Sequence, residues 1–409
     1  MSGLLLNFGK TVLVPLYQFD EVQVREIVAT NAPDWGGVCI AKAAKYLGYF
    51  VGPGKGTESW TAPLQKFRER AKQWGRLGLG WLLTVQAYQV YIASVLQFVA
   101  QLEPLPDGFE MHERAAVQAL FPGPRAWIVP TCLKDAAYFH MPTALVDMVA
   151  IAHAAKVRVR YFENEAMGGL HVHRRATRLM AQFGDTCSLS HIAWCVEWGR
   201  RSFLHNLVHA DSRFIHMTRR QPVEESVMES RDGFQKHITP LLRSIAVGSS
   251  MVHLRRRLDY WSGLMTLPGH RTGKVRIVMS VLQRRANPRV QAAYLRTVCN
   301  GWCTRRRFQD RAATCTFGCG RGMDSVEHFA RCPLVGQLFD RNSRLQAGGT
   351  EAALDSFLIL NDLHDEEKIL SRGIGLYALY RLHNGIRHGL FTQEEVYQAF
   401  GGFMREAVS

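Results

Sequence analysis

The chain has 409 residues, 47% of them apolar, enough for ordinary buried cores and roughly two to four domains. With that composition disorder is not the default reading. Lys and Arg outnumber Asp and Glu by 50 to 35, a net charge of +15, which points to a polyanionic partner such as a phosphate backbone.

The nine cysteines are an odd number spread over a long chain, so they do not read as a disulfide framework. Residues 4–6 are too short an apolar run for a signal peptide. No stretch reaches the ~18 uncharged apolar residues of a membrane span. The closest, 81–100, is rich in Gln and Tyr and reads as a buried helix. A reducing intracellular compartment is expected, where clustered cysteines favour metal.

From the N-terminus, 11–16 reads as a strand and 18–30 as a helix. Residues 38–40 and 45–51 are short β-rich runs, and 52–56 is a turn by composition. The pattern then becomes helical. Residues 60–74 place Leu64, Phe67, Ala71 and Trp74 on one face, and 77–102 is a second long run ended by Pro104 and Pro106. Helical patterns continue at 109–121, 131–161, 171–183 and 188–217, followed by a polar linker at 221–233. Residues 236–260, 274–285 and 288–300 are predicted helices, and 351–409 holds two or three more, including 374–388. The fold class expected is mainly α, with a small α/β part at the N-terminus.

The charge is concentrated. Residues 243–311 hold 14 Arg and 1 Lys against 2 Asp, a net of +13, whereas 333–409 carries 7 basic and 10 acidic residues. Arginine's planar fork suits bidentate phosphate contacts and stacking. Aromatic residues are interleaved with Arg255, Arg256 and Arg257, which run on to Tyr260 and Trp261. The same holds for Trp302, Arg305, Arg306, Arg307 and Phe308. With Arg284 and Arg285, these are the candidate nucleic-acid-binding residues, cations for phosphate and rings for bases. The plainer alternative is a solvated helix face over core aromatics.

The sharpest motif is Cys315-x3-Cys319-x8-His328-x3-Cys332. A short Cys-x3-Cys loop can place two thiolates on one tetrahedral zinc ion, and a His and Cys four positions apart can share a helical face. Gly318, Gly320 and Gly322 supply the tight backbone this needs. Four ligands and no open position predict a structural zinc site, not a catalytic one. Cys299-x3-Cys303 lacks a matching second pair and reads as helix packing, and Cys187-x7-Cys195 fits no ligand spacing. His205-x3-His209 has zincin spacing without the general-base Glu. It reads, with His171, His173 and His216, as partly buried or phosphate-facing histidines. Gly52-Pro53-Gly54-Lys55-Gly56-Thr57 lacks the residue order of a P-loop. There is no Gly-x-Ser-x-Gly and no Asp-Asp pair, so a two-metal carboxylate site cannot be assembled.

Taken in order, these motifs resemble the C-terminal half of LINE-type (non-LTR) retrotransposon reverse transcriptases. Asn7 and Lys10, in Leu4-Leu5-Leu6-Asn7-Phe8-Gly9-Lys10, resemble the palm motif that follows the family's catalytic Asp-Asp hairpin. Lys45, Tyr46, Leu47 and Gly48 resemble the primer-grip hairpin. The helices of 60–102 stand where the thumb would be, and 300–308 with the knuckle resembles the family's C-terminal segment. The match covers about 1–105 and 296–335. It implies a palm remnant at 1–57, thumb-like helices at 58–105, and a helical region of unknown role at 106–233. An Arg-rich nucleic-acid-binding region at 234–311, a zinc knuckle at 312–335 and C-terminal helices at 336–409 follow.

By that resemblance Lys10 lies near the incoming nucleotide and residues 45–48 support the primer end. The family's catalytic aspartates would lie upstream of Met1, so no catalytic residue is assigned. Magnesium chemistry is expected only with that upstream palm. The expectation is a reverse-transcriptase-derived fragment, inactive alone, that binds RNA or DNA, with a nuclear site favoured by the family and no membrane association. A zinc-binding adaptor that engages protein partners is the alternative.

Overall fold

The computed structural model describes residues 7–124, 126–163, 239, 249–309, 314–342, 353–392 and 395–408. The helices expected at 171–183 and 188–217, the linker at 221–233, and residues His171, His173, His205, His209, His216, Cys187 and Cys195 lie outside them. So do residues 4–6 of the palm-like motif.

The chain is mainly helical with a few small strands, as expected. The strands are β1 (Val12–Leu13), β2 (Cys39–Ile40), β3 (Ala44–Tyr46) and β4 (Tyr49–Val51). The helices up to the first long gap are α1 (Glu21–Asn31), α2 (Glu58–Gly75), α3 (Gly80–Ala87), α4 (Ser94–Leu102), α5 (Phe109–Leu120), α6 (Pro130–Lys134) and α7 (Met148–Glu163). After it come α8 (Ser249–Asp259), α9 (Pro268–Arg285), α10 (Pro288–Val298), α11 (Val326–Phe329), α12 (Pro333–Asn342), α13 (Ala353–Phe357), α14 (Glu366–Arg387) and α15 (Val396–Val408).

These elements form two compact units. The first combines Met1–Glu69, Ile92–Phe109 and Asp147–Ala246; the second combines Arg70–Tyr91, Glu110–Val146 and Val247–Ser409.

In the first unit β1 pairs parallel with β2, aligning Val12 with Cys39 and Leu13 with Ile40. The strand predicted over 11–16 shrinks to two residues, because Pro15 has no N–H to extend the ladder. Helix α1 begins at Asp20, whose carboxylate accepts from the Val22 amide at 2.9 Å. It buries Val24 against Val38 and Ile40. β3 and β4 form an antiparallel hairpin joined by Leu47 and Gly48, with φ of 48° and 90°. Two positive φ values in a two-residue loop are the mark of a type I′ turn, whose twist matches the strands.

Lys55 then locks the hairpin down. Its Nζ lies 2.5 Å from Glu103 on the far end of α4 and donates to the Tyr49 hydroxyl at 2.7 Å. Ser59 of α2 donates to the same carboxylate at 3.1 Å and accepts from the Phe50 amide at 3.0 Å. The lysine of the P-loop-like stretch is therefore a strut inside the fold.

The second unit is built on α9, α10 and α14, with α15 packed along α14. Val278, Leu282, Tyr294, Val298, Leu379 and Leu382 fill its centre. Helix α10 starts at Asn287, whose side chain accepts from the Arg289 amide at 3.0 Å, with Pro288 at its first position. Helix α3 packs on α10, and α6 packs on α8. Buried Arg271 donates to the carbonyls of Leu258, Leu264 and Thr266, and buried Asp355 accepts from the amides of Met265 (2.7 Å) and Thr266 (2.9 Å). Together they fix the 259–267 loop.

Two long helical runs read from the sequence are broken. The run at 77–102 divides at a π turn, Tyr88–Ile92, which inserts one extra residue per turn. The run at 131–161 leaves the α-helix at Lys134, continues as a 3-10 turn over Ala136–Phe139 and breaks at His140, which is left-handed (φ 55°). Among the described residues no single helix is long and apolar enough to cross a membrane.

Candidate metal centre

Two short elements bring the four motif residues together. Cys315 and Cys319 flank a tight turn in which the Gly318 amide donates to the Cys315 carbonyl at 2.9 Å. Gly318 and Gly320 adopt φ of 83° and 67°, which side chains resist. The loop closes where Thr314 bridges Met323 and the Cys315 amide donates to the Gly322 carbonyl at 2.8 Å. His328 comes from α11, capped by the Ser325 hydroxyl, which accepts from the His328 amide at 3.2 Å. Cys332 follows one turn later, immediately ahead of α12.

Sγ of Cys315, Cys319 and Cys332 and a ring nitrogen of His328 all lie within 4.8 Å of one another. Cys315 Sγ is 3.9 Å from Cys332 Sγ, and Cys319 Sγ is 3.1 Å from His328 Nε2. A tetrahedral zinc ion with bonds of about 2.0–2.3 Å holds its ligand atoms about 3.3–3.8 Å apart, so this donor set fits. The Cys315 thiol, donating to Cys332 sulfur, holds Cys332 below the ordinary thiol range and keeps its own proton more tightly. A thiolate is the form that ligates metal. The Arg321 amide also donates to Cys319 Sγ at 3.5 Å, support of the kind that tunes a bound thiolate.

Gly322 presses on the imidazole. A Cβ there would lie 2.8 Å from His328 Cγ and closer still to Nδ1 and Cε1. Gly322→Ala is therefore expected to push His328 aside and weaken metal binding roughly 10- to 100-fold. Competition against a chromogenic chelator measures this, and an unchanged affinity would contradict the geometry.

A second layer anchors the knuckle to the helical unit. Asp324 is fully buried. It accepts from the Arg305 amide at 2.7 Å and from Thr316 Oγ1 at 2.6 Å, and its Oδ1 lies 3.6 Å from His383 Nε2 on α14. Burial by itself would raise its pKa. The neighbouring His383, the Thr316 hydroxyl and the Arg305 amide outweigh that and hold the carboxyl at about 2. His383 is also fully buried, with ring centroids of Trp302, Phe329 and Phe317 at 5.3, 5.5 and 6.2 Å.

The remaining predicted residues divide. Trp302 is completely buried and donates to Thr297 Oγ1 at 3.0 Å. Its assignment as a base-stacking residue is therefore corrected: it is core, as is Trp261, which donates to the Val298 carbonyl at 2.8 Å. Arg257 donates to the Ala126 carbonyl at 2.5 Å and Arg307 to the Asn300 carbonyl at 2.8 Å. Arg306 pairs with Glu327 at 3.1 Å, Arg284 with Glu366 at 2.5 Å and Arg285 with Glu367 at 2.6 Å.

Arg255, Arg256 and Arg305 are exposed, and their side chains have no acidic partner among the described residues. Arg321 and Arg331 are exposed on the knuckle itself. Tyr260 and Phe308, 75% and 60% exposed, are the aromatic residues beside these arginines that reach solvent. In the first unit, Asn7 accepts from the Lys10 amide at 3.0 Å in a 3-10 turn ahead of β1. Lys45, Tyr46, Leu47 and Gly48 make the tip of the β3–β4 hairpin. Cys299 is buried at the end of α10, consistent with packing.

Sequence reasoning passed over Asp324 and His383 as a pair because 59 positions separate them. It also passed over Arg296, whose guanidinium lies 4.4 Å from the Trp127 ring centroid. No family model, curated protein or solved structure matches the chain.

Proposed function

We propose that the chain is a nucleic-acid-binding protein whose second unit is built around a structural zinc knuckle. The observation that carries this reading is the closed set of three cysteine sulfurs and one imidazole at Cys315, Cys319, Cys332 and His328. All four positions are protein ligands, so the ion organises the fold and leaves no site for water or substrate. Exposed arginines in the same unit with no acidic partner among the described residues support a phosphate partner. The order of motifs, from the Asn7–Lys10 turn through the Lys45–Gly48 hairpin to the knuckle, supports ancestry in LINE-type reverse transcriptases. Chemistry with magnesium would need carboxylates that none of these residues supply.

A test of binding follows from the exposed arginines of α8. Arg255→Gln with Arg256→Gln is expected to weaken binding to RNA and DNA of many sequences alike. It should flatten the slope of log affinity against log salt by roughly 0.7–0.9 per lost phosphate contact. An unchanged slope in a folded variant would remove α8 from the interface.

One observation favours a second reading, a zinc-binding adaptor. Leu82, Leu83 and Val90 on α3 and the following turn are exposed apolar side chains. An apolar protein interface would tolerate salt that dissociates a phosphate contact.

A further inference from the structure

The outer side of α9 carries a second set of cations. Arg276 and Arg284 stand about 12 Å apart along it at roughly 1.5 Å per residue. Arg285 lies at the C-terminal end of the helix, about 100° around it from Arg284, and Arg289 opens α10; all four are exposed. The Tyr138 ring centroid lies 4.8 Å from the Arg276 guanidinium. His140 borders the row, and its pKa is lowered first by burial and then by the charges of Arg276 and Arg284.

Three of these arginines are held by acids from the C-terminal helices. Arg284 meets Glu366 at 2.5 Å, Arg285 meets Glu367 at 2.6 Å, and Arg289 meets Glu406 at 3.1 Å. Each pair is solvent-exposed, and such pairs contribute little net stability. Nor would the acids be stranded by losing them. Glu366 and Glu367 occupy the first turn of α14, where the helix dipole favours negative charge. Glu406 also accepts from the Tyr377 hydroxyl at 3.1 Å and pairs with Arg381 at 3.2 Å.

We infer that Arg276, Arg284, Arg285 and Arg289 form a second site for a nucleic-acid backbone, with Glu366, Glu367 and Glu406 as built-in counter-ions that the strand displaces. The inference rests on the nucleic-acid reading above and extends it to a separate surface. A nucleic acid suits this exchange better than an acidic peptide. Its fixed phosphates release condensed counter-ions on binding, whereas peptide carboxylates would only replace the glutamates already there. Unliganded protein then presents a weaker cationic surface than its sequence suggests, and the strand itself opens the site.

The experiment measures binding of a fluorescein-labelled single-stranded oligonucleotide to the full chain by anisotropy across a salt series. Glu366→Gln with Glu367→Gln is expected to raise affinity roughly three- to tenfold at low salt. It should also steepen the log–log salt slope, because displaced glutamates no longer recapture cations when the strand binds. Arg276 has no acidic partner among the described residues, so Arg276→Gln removes charge without breaking a pair. It is expected to lower affinity and flatten the slope by about 0.7. Wild-type affinity and slope in a folded glutamine pair, or in Arg276→Gln, would overturn the inference. If the pair fails to fold, Arg276→Gln decides alone. The two surfaces separate cleanly. Loss of binding in the Arg255/Arg256 variant with no response to the glutamines sinks this site only. The reverse pattern removes α8 and leaves this site standing.

Discussion

Stripping the metal from Cys315, Cys319, His328 and Cys332 is expected to lower the melting temperature of the second unit by about 10–20 °C. Structural zinc contributes about 10–16 kcal/mol to isolated finger peptides. A knuckle seated on a formed hydrophobic core needs less, and about 5 kcal/mol is a conservative share. At roughly 2–4 °C per kcal/mol for a body of this size, that gives the stated shift. The effect should reach beyond the loop. Phe317 of the knuckle packs on Phe329 and Phe329 on Trp302, which touches Tyr380 and His383 of α14. Loosening the ligands loosens that aromatic layer. Differential scanning calorimetry with and without a strong chelator, alongside elemental analysis, tests this. One zinc per chain and a large downward shift are expected. A melting curve indifferent to chelation would show that the four side chains hold together without an ion.

The second large effect is expected at Asp324. Removing the carboxylate with Asp324→Ala leaves the Arg305 amide and Thr316 hydroxyl without their acceptor and takes away the oxygen 3.6 Å from His383 Nε2. Leaving buried donors without their acceptor costs about 1–3 kcal/mol each. Asp324→Asn keeps the shape and one acceptor oxygen and should recover part of that. Chemical denaturation measures both, and a loss under about 1 kcal/mol in the alanine variant would mean that the anchor is dispensable.

The pH dependence has a definite order. The folded pKa of Asp324, about 2, lies below the ordinary value of 3.8. Its contribution is therefore complete above that ordinary value and is lost only as pH falls through about 2. The metal leaves first, because thiolate and imidazole ligands take up protons at higher pH. Release of zinc to a colorimetric dye should precede any loss attributable to Asp324. Release that waits for the carboxylate to protonate would reverse that order.

Much of the fold was legible in the sequence. The spacing of Leu64, Phe67 and Ala71 marks α2, and all three are buried. The four ligands were visible because a metal demands a short, ordered set of residue types, and the structure brings all four together. The basic segment was visible as a count but not as a surface. Arginine looks the same in a sequence whether it caps a carbonyl, as Arg257 and Arg271 do, pairs with a distant Glu, as Arg284 does, or faces water, as Arg255 does. Those fates depend on partners up to 131 positions away. Aromatic residues mislead for the same reason: Trp302 and Phe308 flank the same three arginines, and only Phe308 reaches solvent. Helix continuity was overread at 77–102 and 131–161. A π turn and a left-handed histidine leave no strong mark on apolar periodicity.

The threading of the chain through its two units bears on how deletion mapping would read. Residues 70–91, far from the knuckle in sequence, belong to the same unit as it does, and α3 supplies part of the packing on α10. A truncation that removes them takes a wall from the body that carries Cys315 to Cys332. Loss of function after such a cut would report a collapsed scaffold, not a contact made by the deleted segment. Point substitutions at exposed arginines are the sounder map of this molecule.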